Sequence, residues 1–187
     1  MRMKIGCASL IMAGLLCACS PSSPPAPAAA QSPEASTQPL VAVASAPVAA
    51  DVAALNTRFD PARDPAADLA VAQAEARRSG KRIVLDVGGE WCSWCHLLHA
   101  FIEGDDEVRT QVDASYVWMK VNYSEDNENA AFLSQFPAIK GYPHLFVLDA
   151  DGKLLHSQFT GELEADKGQP KGYNRERFLA FVQAWAP

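Results

Sequence analysis

A short apolar run, Ile83-Val84-Leu85-Asp86-Val87, passes through Gly88-Gly89 into Trp91-Cys92-Ser93-Trp94-Cys95. A run this brief suits a buried strand better than an amphipathic helix. Downstream, Leu97, Leu98, Phe101 and Ile102 recur at helical spacing, so a helix is expected to start near Cys92. Two cysteines one turn apart on such a helix share a face and lie within disulfide reach. A loop that short constrains the unfolded chain little, so a bond between them is expected to serve chemistry rather than stability.

The flanking elements follow from local signals. Asp64-Pro65 predicts a helix start, with Asp as cap and Pro at the first helical position. An Ala-rich helix to Arg78 should stop at Gly80. The first strand is predicted over Arg82 to Gly88. Gly104 interrupts the cysteine-bearing helix, and Asp105 to Val112 predicts a further turn or two. Tyr116 to Asn122 predicts a second strand, and Glu125 to Gln135 a helix. Pro143 to Asp149 predicts a third strand, turning at Asp151-Gly152 into its partner, Leu154 to Phe159. Asn174 is expected to cap a last helix, with Phe178, Phe181, Val182 and Trp185 on one face. That order predicts an α/β domain: a mixed central sheet flanked by helices on both faces.

The N-terminus reads as a targeting segment rather than as fold. Arg2 and Lys4 precede an apolar stretch, Ile5 to Leu16, too short to span a bilayer. Leu16-Cys17-Ala18-Cys19 then resembles the bacterial lipobox, which implies cleavage before Cys19 and lipidation of its thiol. Residues 1–18 are therefore expected to be a lipoprotein signal peptide. Residues 19–50 carry Pro21, Pro24, Pro25, Pro27, Pro33, Pro39 and Pro47 among Ala, Ser and Gln, and predict a flexible tether. The folded domain is expected over 51–187. Lipidation implies the periplasmic face of a bacterial membrane; Ser20 after Cys19 favours the outer membrane. Loss of Cys7 and Cys17 with the signal, and acylation of Cys19, would leave Cys92 and Cys95 as the free pair. In an oxidising compartment such a pair can form one disulfide. The net charge of −6 offers no basic surface for nucleic acid.

The chemistry expected of the pair is dithiol–disulfide exchange. A cysteine attacks as its thiolate, and a helix N-terminus stabilises that charge. Cys92 would attack a substrate disulfide, and Cys95 would then attack Cys92 and release the reduced product. The domain resembles thioredoxin over roughly residues 64–187, carried by Glu90-Trp91-Cys92, Asp86, Lys120, Lys140-Gly141-Tyr142-Pro143 and Gly161. The resemblance implies that Asp86 exchanges a proton with Cys95. Burial would raise the Asp86 pKa and Lys120 would oppose that rise. It also implies a cis Pro143, which with Tyr142 and Trp91 would form the substrate-facing rim. No cofactor is implied. The implied partners are protein thiols or disulfides and, for a reductase, a membrane thiol-reductant donor.

The chain departs from the family at several positions. Ser93-Trp94 replaces the usual Gly-Pro, so no redox potential carries over. His96 follows the second cysteine, where Lys is frequent, and His144 follows Pro143, where Thr is usual. Residues 162–173 form an insertion, read as either a partner surface or a neutral loop. Two other chemistries fit the motif alone. Cys92-Ser93-Trp94-Cys95-His96 is also a c-type haem attachment pattern, although the strand before it and the lack of Met after Met119 argue against haem. Cys92, Cys95, His96 and His99 have zinc-ligand identities, but one helix projects them over too narrow an arc for a tetrahedral ion. A non-catalytic binding module of the same fold would make both cysteines dispensable.

Overall fold

The computed structural model describes residues 49–187. The expected signal peptide 1–18, the lipidated Cys19 and nearly all of the 19–50 tether lie outside the described residues. The elements are α1 (Ala49–Ala54), α2 (Pro65–Ser79), β1 (Arg82–Gly88), α3 (Ser93–Gly104), α4 (Asp106–Ser115), β2 (Tyr116–Asn122), α5 (Ala130–Leu133), β3 (His144–Leu148), β4 (Leu154–Phe159), a 3-10 turn (Thr160–Leu163) and α6 (Arg175–Ala184). No helix among the described residues is long and apolar enough to cross a membrane.

The four strands form one mixed sheet in the order β2-β1-β3-β4. β1 runs parallel to β2 and antiparallel to β3, and β4 pairs antiparallel to β3. Alternation along β1 divides the core in two. Ile83, Leu85 and Val87 face Ala72 and Ala76 of α2, Phe132 of α5 and Phe146. Val84 faces Leu98 and Ile102 of α3, Val108 and Val112 of α4, and Phe178 and Val182 of α6. Helices therefore cover both faces, and β1 is buried along its length after Arg82. Each fully buried side chain of Leu, Ile or Phe size contributes about 1.5–3 kcal/mol of transfer free energy.

Local caps act where the sequence places them. The Asp64 carboxylate accepts from Ala66 N–H, and α2 ends at Gly80. Asn174 Oδ1 accepts from Arg177 N–H at the start of α6. At the β3–β4 hairpin Gly152 sits at φ 84°, a left-handed conformation that side chains disfavour. Asp105 caps α4 through Glu107 and Val108 N–H, and that helix runs to Ser115, a turn beyond the predicted end.

Two expectations are corrected. The predicted helix Glu125–Gln135 is helical only over Ala130–Leu133. Side-chain amides take the backbone bonds a helix would have used: Asn122 Nδ2 donates to the Asn127 carbonyl, Asn129 Nδ2 to the Asn122 carbonyl, and Asn127 Oδ1 accepts from Asn129 N–H. The second correction is α1, which sequence patterning did not signal. The segment it leads into protects the sheet: Lys120 N–H donates to the Leu55 carbonyl at 2.8 Å, closing part of the otherwise open edge of β2.

Candidate redox site

β1 ends at Gly88, and the chain turns into α3 with Cys92 as its N-cap residue. Cys92 and Cys95 are joined as a disulfide, their Cα atoms 5.3 Å apart. Cys92 Sγ also accepts from Cys95 N–H at 3.1 Å, one of the donors a helix start leaves free. That donor and the helix dipole both favour negative charge on Cys92. Cys92 is 4% exposed and Cys95 1% exposed, so Cys92 is the less enclosed of the two. Gly88 makes room for this pair: a Cβ there would lie 2.4 Å from Cys95 Sγ.

Phe59 packs on both cysteines. Its backbone N–H donates to Glu90 Oε1 at 2.8 Å, which ties the segment after α1 to the turn before the disulfide. The Lys120 ammonium stands 5.2 Å over the Phe59 ring. Phe59 carried no motif in the sequence, and its position here depends on that long-range tie.

Asp86 lies two residues before Gly88, on the same face of β1, about 7 Å back along the strand. It is 3% exposed, and Lys120 is its register partner on β2. Burial raises its carboxyl pKa to about 6, opposed by the hydrogen bond from Trp118 and by the Lys120 charge. Trp118 Nε1 donates to Asp86 Oδ2 at 3.2 Å. Trp118 is a site residue the sequence reading missed. The period of two along β2 held the signal, since Trp118 and Lys120 must share a face.

The rim opposite the disulfide is aromatic. The Tyr142–Pro143 bond is cis, and Thr160 Oγ1 donates to the Pro143 carbonyl at 2.5 Å. Tyr142 stacks on Tyr123 at 4.8 Å and meets Trp91 edge-on at 5.6 Å. Among the described residues Trp91 is the large hydrophobic residue left exposed, at 59%, with Nε1 donating to the Tyr123 carbonyl at 2.7 Å. Beside it opens a cleft of about 640 Å³ lined by Trp91, Tyr123, Ser124, Glu125, Asp126 and Glu128. Trp91 and Tyr142 thus meet, and Tyr142, which precedes Pro143, packs against the cysteine pair.

The 162–173 insertion folds back onto the cysteine motif. Lys171 Nζ lies 3.4 Å from Ser93 Oγ and 4.7 Å over the Trp94 ring. Tyr173 OH donates to the Trp94 carbonyl at 3.3 Å. Both residues between the cysteines are therefore held from the insertion. His96 is exposed and bends over the turn, its Nε2 2.8 Å from the Glu90 carbonyl. His99 points elsewhere, into a small cavity with Asp86 and Trp118. The four zinc-type side chains do not converge, and no group of three or more metal-ligating residues is found among the described residues.

A family profile described as a thioredoxin-like domain matches residues 69–170, more than half of the chain. The chain belongs to the thioredoxin-like family. It is 31% identical over 96 residues to the thiol:disulfide interchange protein DsbD of Pseudoalteromonas atlantica, covering 49% of this chain and 16% of that protein. It is 29% identical over 87 residues to the DsbD of Colwellia psychrerythraea, covering 46% and 14%. The chain thus spans about a sixth or less of the length of these curated relatives. Among solved structures it superimposes on a disulphide isomerase from Xylella fastidiosa with a TM-score of 0.57 and 20% identity, covering 70% of this chain and 97% of the other. The oxidised C-terminal domain of Neisseria meningitidis DsbD gives a TM-score of 0.50 at 21% identity, covering 65% and 96%. These two likenesses establish the thioredoxin fold.

Proposed function

We propose that the domain is a thiol–disulfide oxidoreductase that acts on protein disulfides through Cys92 and Cys95. The observation that carries this reading is the Cys92–Cys95 disulfide at the start of α3, facing the cis Tyr142–Pro143 rim. The named activity of the DsbD relatives, thiol:disulfide interchange, is of the same kind. Cys92 is the attacking thiol, because it caps the helix and is the less enclosed of the two. Cys95 is the resolving thiol. It gives its proton to Asp86, attacks Cys92 Sγ in the mixed disulfide and releases the substrate thiolate. Lys120 holds the ionised form of Asp86 within reach of neutral pH. Trp91, Tyr142 and Pro143 form the surface on which the substrate strand lies. No cofactor takes part; electrons pass to or from a partner protein, such as a membrane thiol-reductant donor.

The place of action in this reading is the periplasmic face of a bacterial membrane, with the outer membrane favoured. Support comes from Leu16-Cys17-Ala18-Cys19 and the Pro-rich stretch that follows it, with Cys19 as the lipidated residue. Palmitate labelling that persists in Cys19→Ser would remove the anchor from the reading.

The test is trapping in cells. Cys95→Ser should accumulate mixed disulfides through Cys92, and Cys92→Ser should not. Absence of any trapped species, or full function of the double Ser variant, would overturn the oxidoreductase in favour of a binding module. Titration against a thiol buffer gives the direction of electron flow. A potential near about −270 mV marks a reductant and one near about −120 mV an oxidant.

A further inference from the structure

Beside Asp86 lies a cavity of about 20 Å³ between α3, α4 and β2. Its polar lining is Asn56, Asp86, His99, Glu103, Asp113 and Trp118. Two buried oxygens of that lining, Asp86 Oδ1 and Asn56 Oδ1, have no hydrogen-bond partner among the described residues. A buried acceptor left without a donor is unfavourable. The volume suits one water molecule, and a water needs two to four polar partners, which this lining offers. The other carboxylate oxygen of Asp86 is held by Trp118 Nε1, which fixes the carboxylate plane and leaves Oδ1 as the atom that can exchange a proton.

We infer that water in this cavity carries protons between Asp86 Oδ1 and His99, so that His99 is the outlet through which the buried carboxylate exchanges with solvent. This deepens the proposed redox function and rests on it. When Cys95 attacks the mixed disulfide, its thiol proton passes to the Asp86 carboxylate. The new Cys95–Cys92 bond forms as the Cys92–substrate bond breaks, and the electron pair leaves on the substrate thiolate. The proton then moves from Asp86 through the cavity water to His99 and out. Reduction of the domain runs the same path inward.

His99 suits the outlet because an imidazole accepts a proton on one nitrogen and donates from the other, passing it on without turning. His99 is exposed and also lines the cavity, so it connects the cavity to water. The charges that face this group are Lys120 from β2, Glu103 and His96 from α3, Asp113 from α4 and Glu90 from the preceding turn. Desolvation and the Lys120 charge keep the His99 pKa below its usual value, which favours release of a received proton. Tyr173, across the core, also feels the Asp86 charge, but it does not line the cavity.

The experiment follows reduction of a disulfide-linked peptide by the reduced protein across pH, in wild type and His99→Ala, with and without added imidazole. The outlet predicts that His99→Ala slows the resolving step on the order of tenfold near neutral pH, less than the 10²–10⁴ of a directly acting acid–base group. Added imidazole should restore most of that loss. Asn56→Leu, which replaces a water partner by an apolar group, should slow the same step without responding to imidazole. Wild-type rates and pH profile in His99→Ala would overturn the outlet, as would a slow variant that imidazole does not rescue. A wild-type protein that reduces no disulfide would instead overturn the oxidoreductase reading on which the outlet rests.

Discussion

Asp86 and His144 sit on adjacent strands, one residue out of register and on opposite faces of the sheet, and burial drives their protonation in opposite directions. The Asp86 carboxyl is raised from 3.8 to about 6, chiefly by desolvation. The His144 imidazole is lowered from 6.5 to about 4, also chiefly by desolvation. The two groups therefore pull the pH dependence of stability against each other between about pH 4 and 6.5.

For Asp86 the folded state binds its proton more tightly than the unfolded state. Its contribution is fully present below about pH 4 and is lost as pH rises to about 6. A shift of about two units corresponds to about 3 kcal/mol. Asp86→Asn keeps an acceptor for Trp118 Nε1 and removes the buried charge. It should stabilise the protein at pH 7–8 by about 2–3 kcal/mol while slowing disulfide exchange. Urea unfolding at pH 4 and pH 8 checks this; equal stability of variant and wild type at pH 8 would contradict it.

For His144 the sign reverses. It is 1% exposed, with Nε2 at 2.9 Å from Ser157 Oγ and Nδ1 without a partner among the described residues. The unfolded chain takes up a proton below about pH 6.5 that the folded chain refuses until about pH 4. Stability from this group is present above about pH 6.5 and lost as pH falls. In His144→Gln the remaining Asp86 effect should show alone, so stability should fall as pH rises from 4 to 6. The same urea series reads it, and a profile parallel to wild type would count against the assignment.

Gly88 is expected to act on the redox equilibrium rather than on the fold alone. A methyl group at this position would press on Cys95 Sγ at 2.4 Å and on Phe59 at 3.2 Å. Gly88→Ala should destabilise the oxidised form by about 1–3 kcal/mol, and the reduced form by less, because a free thiol can turn away. The potential should therefore rise, making the disulfide easier to reduce. Glutathione titration of both proteins measures the shift; an unchanged or lower potential would refute the close-approach account.

Trp91 should matter to substrates and little to stability. Its ring is mostly in solvent, and its single hydrogen bond to the Tyr123 carbonyl is worth on the order of 1 kcal/mol. Trp91→Ala should raise KM for a disulfide-containing peptide about tenfold and move Tm by only a few degrees. Steady-state kinetics beside a thermal melt separates the two. A large loss of Tm with unchanged KM would assign Trp91 to the core instead.

Much of the architecture was legible because its signals are local. Alternation and capping residues set β1, β2, the β3–β4 hairpin, α2 and α6 close to their observed limits. Helix 125–135 was misread because Asn122, Asn127 and Asn129 satisfy one another only once the turn has closed. α1 carries no local signal because tertiary contacts hold its end: Leu55 is buried in the core and its carbonyl accepts from the distant Lys120 N–H. A period of two could have placed Trp118 beside Asp86; nothing local could have placed Phe59 or Lys171.

By itself the sequence determined the Cys92–Cys95 spacing on a strand-to-helix junction, the face that Asp86 shares with Gly88, and the position of Pro143. These depend on periodicity and on residue chemistry over a few positions. Only the tertiary structure decided what surrounds the pair: Phe59 beneath Lys120, Trp118 on one oxygen of Asp86, the cavity on the other, and Lys171 on Ser93 and Trp94. Those neighbours are brought together by burial of two apolar faces across β1, a non-directional force that sequence spacing does not encode.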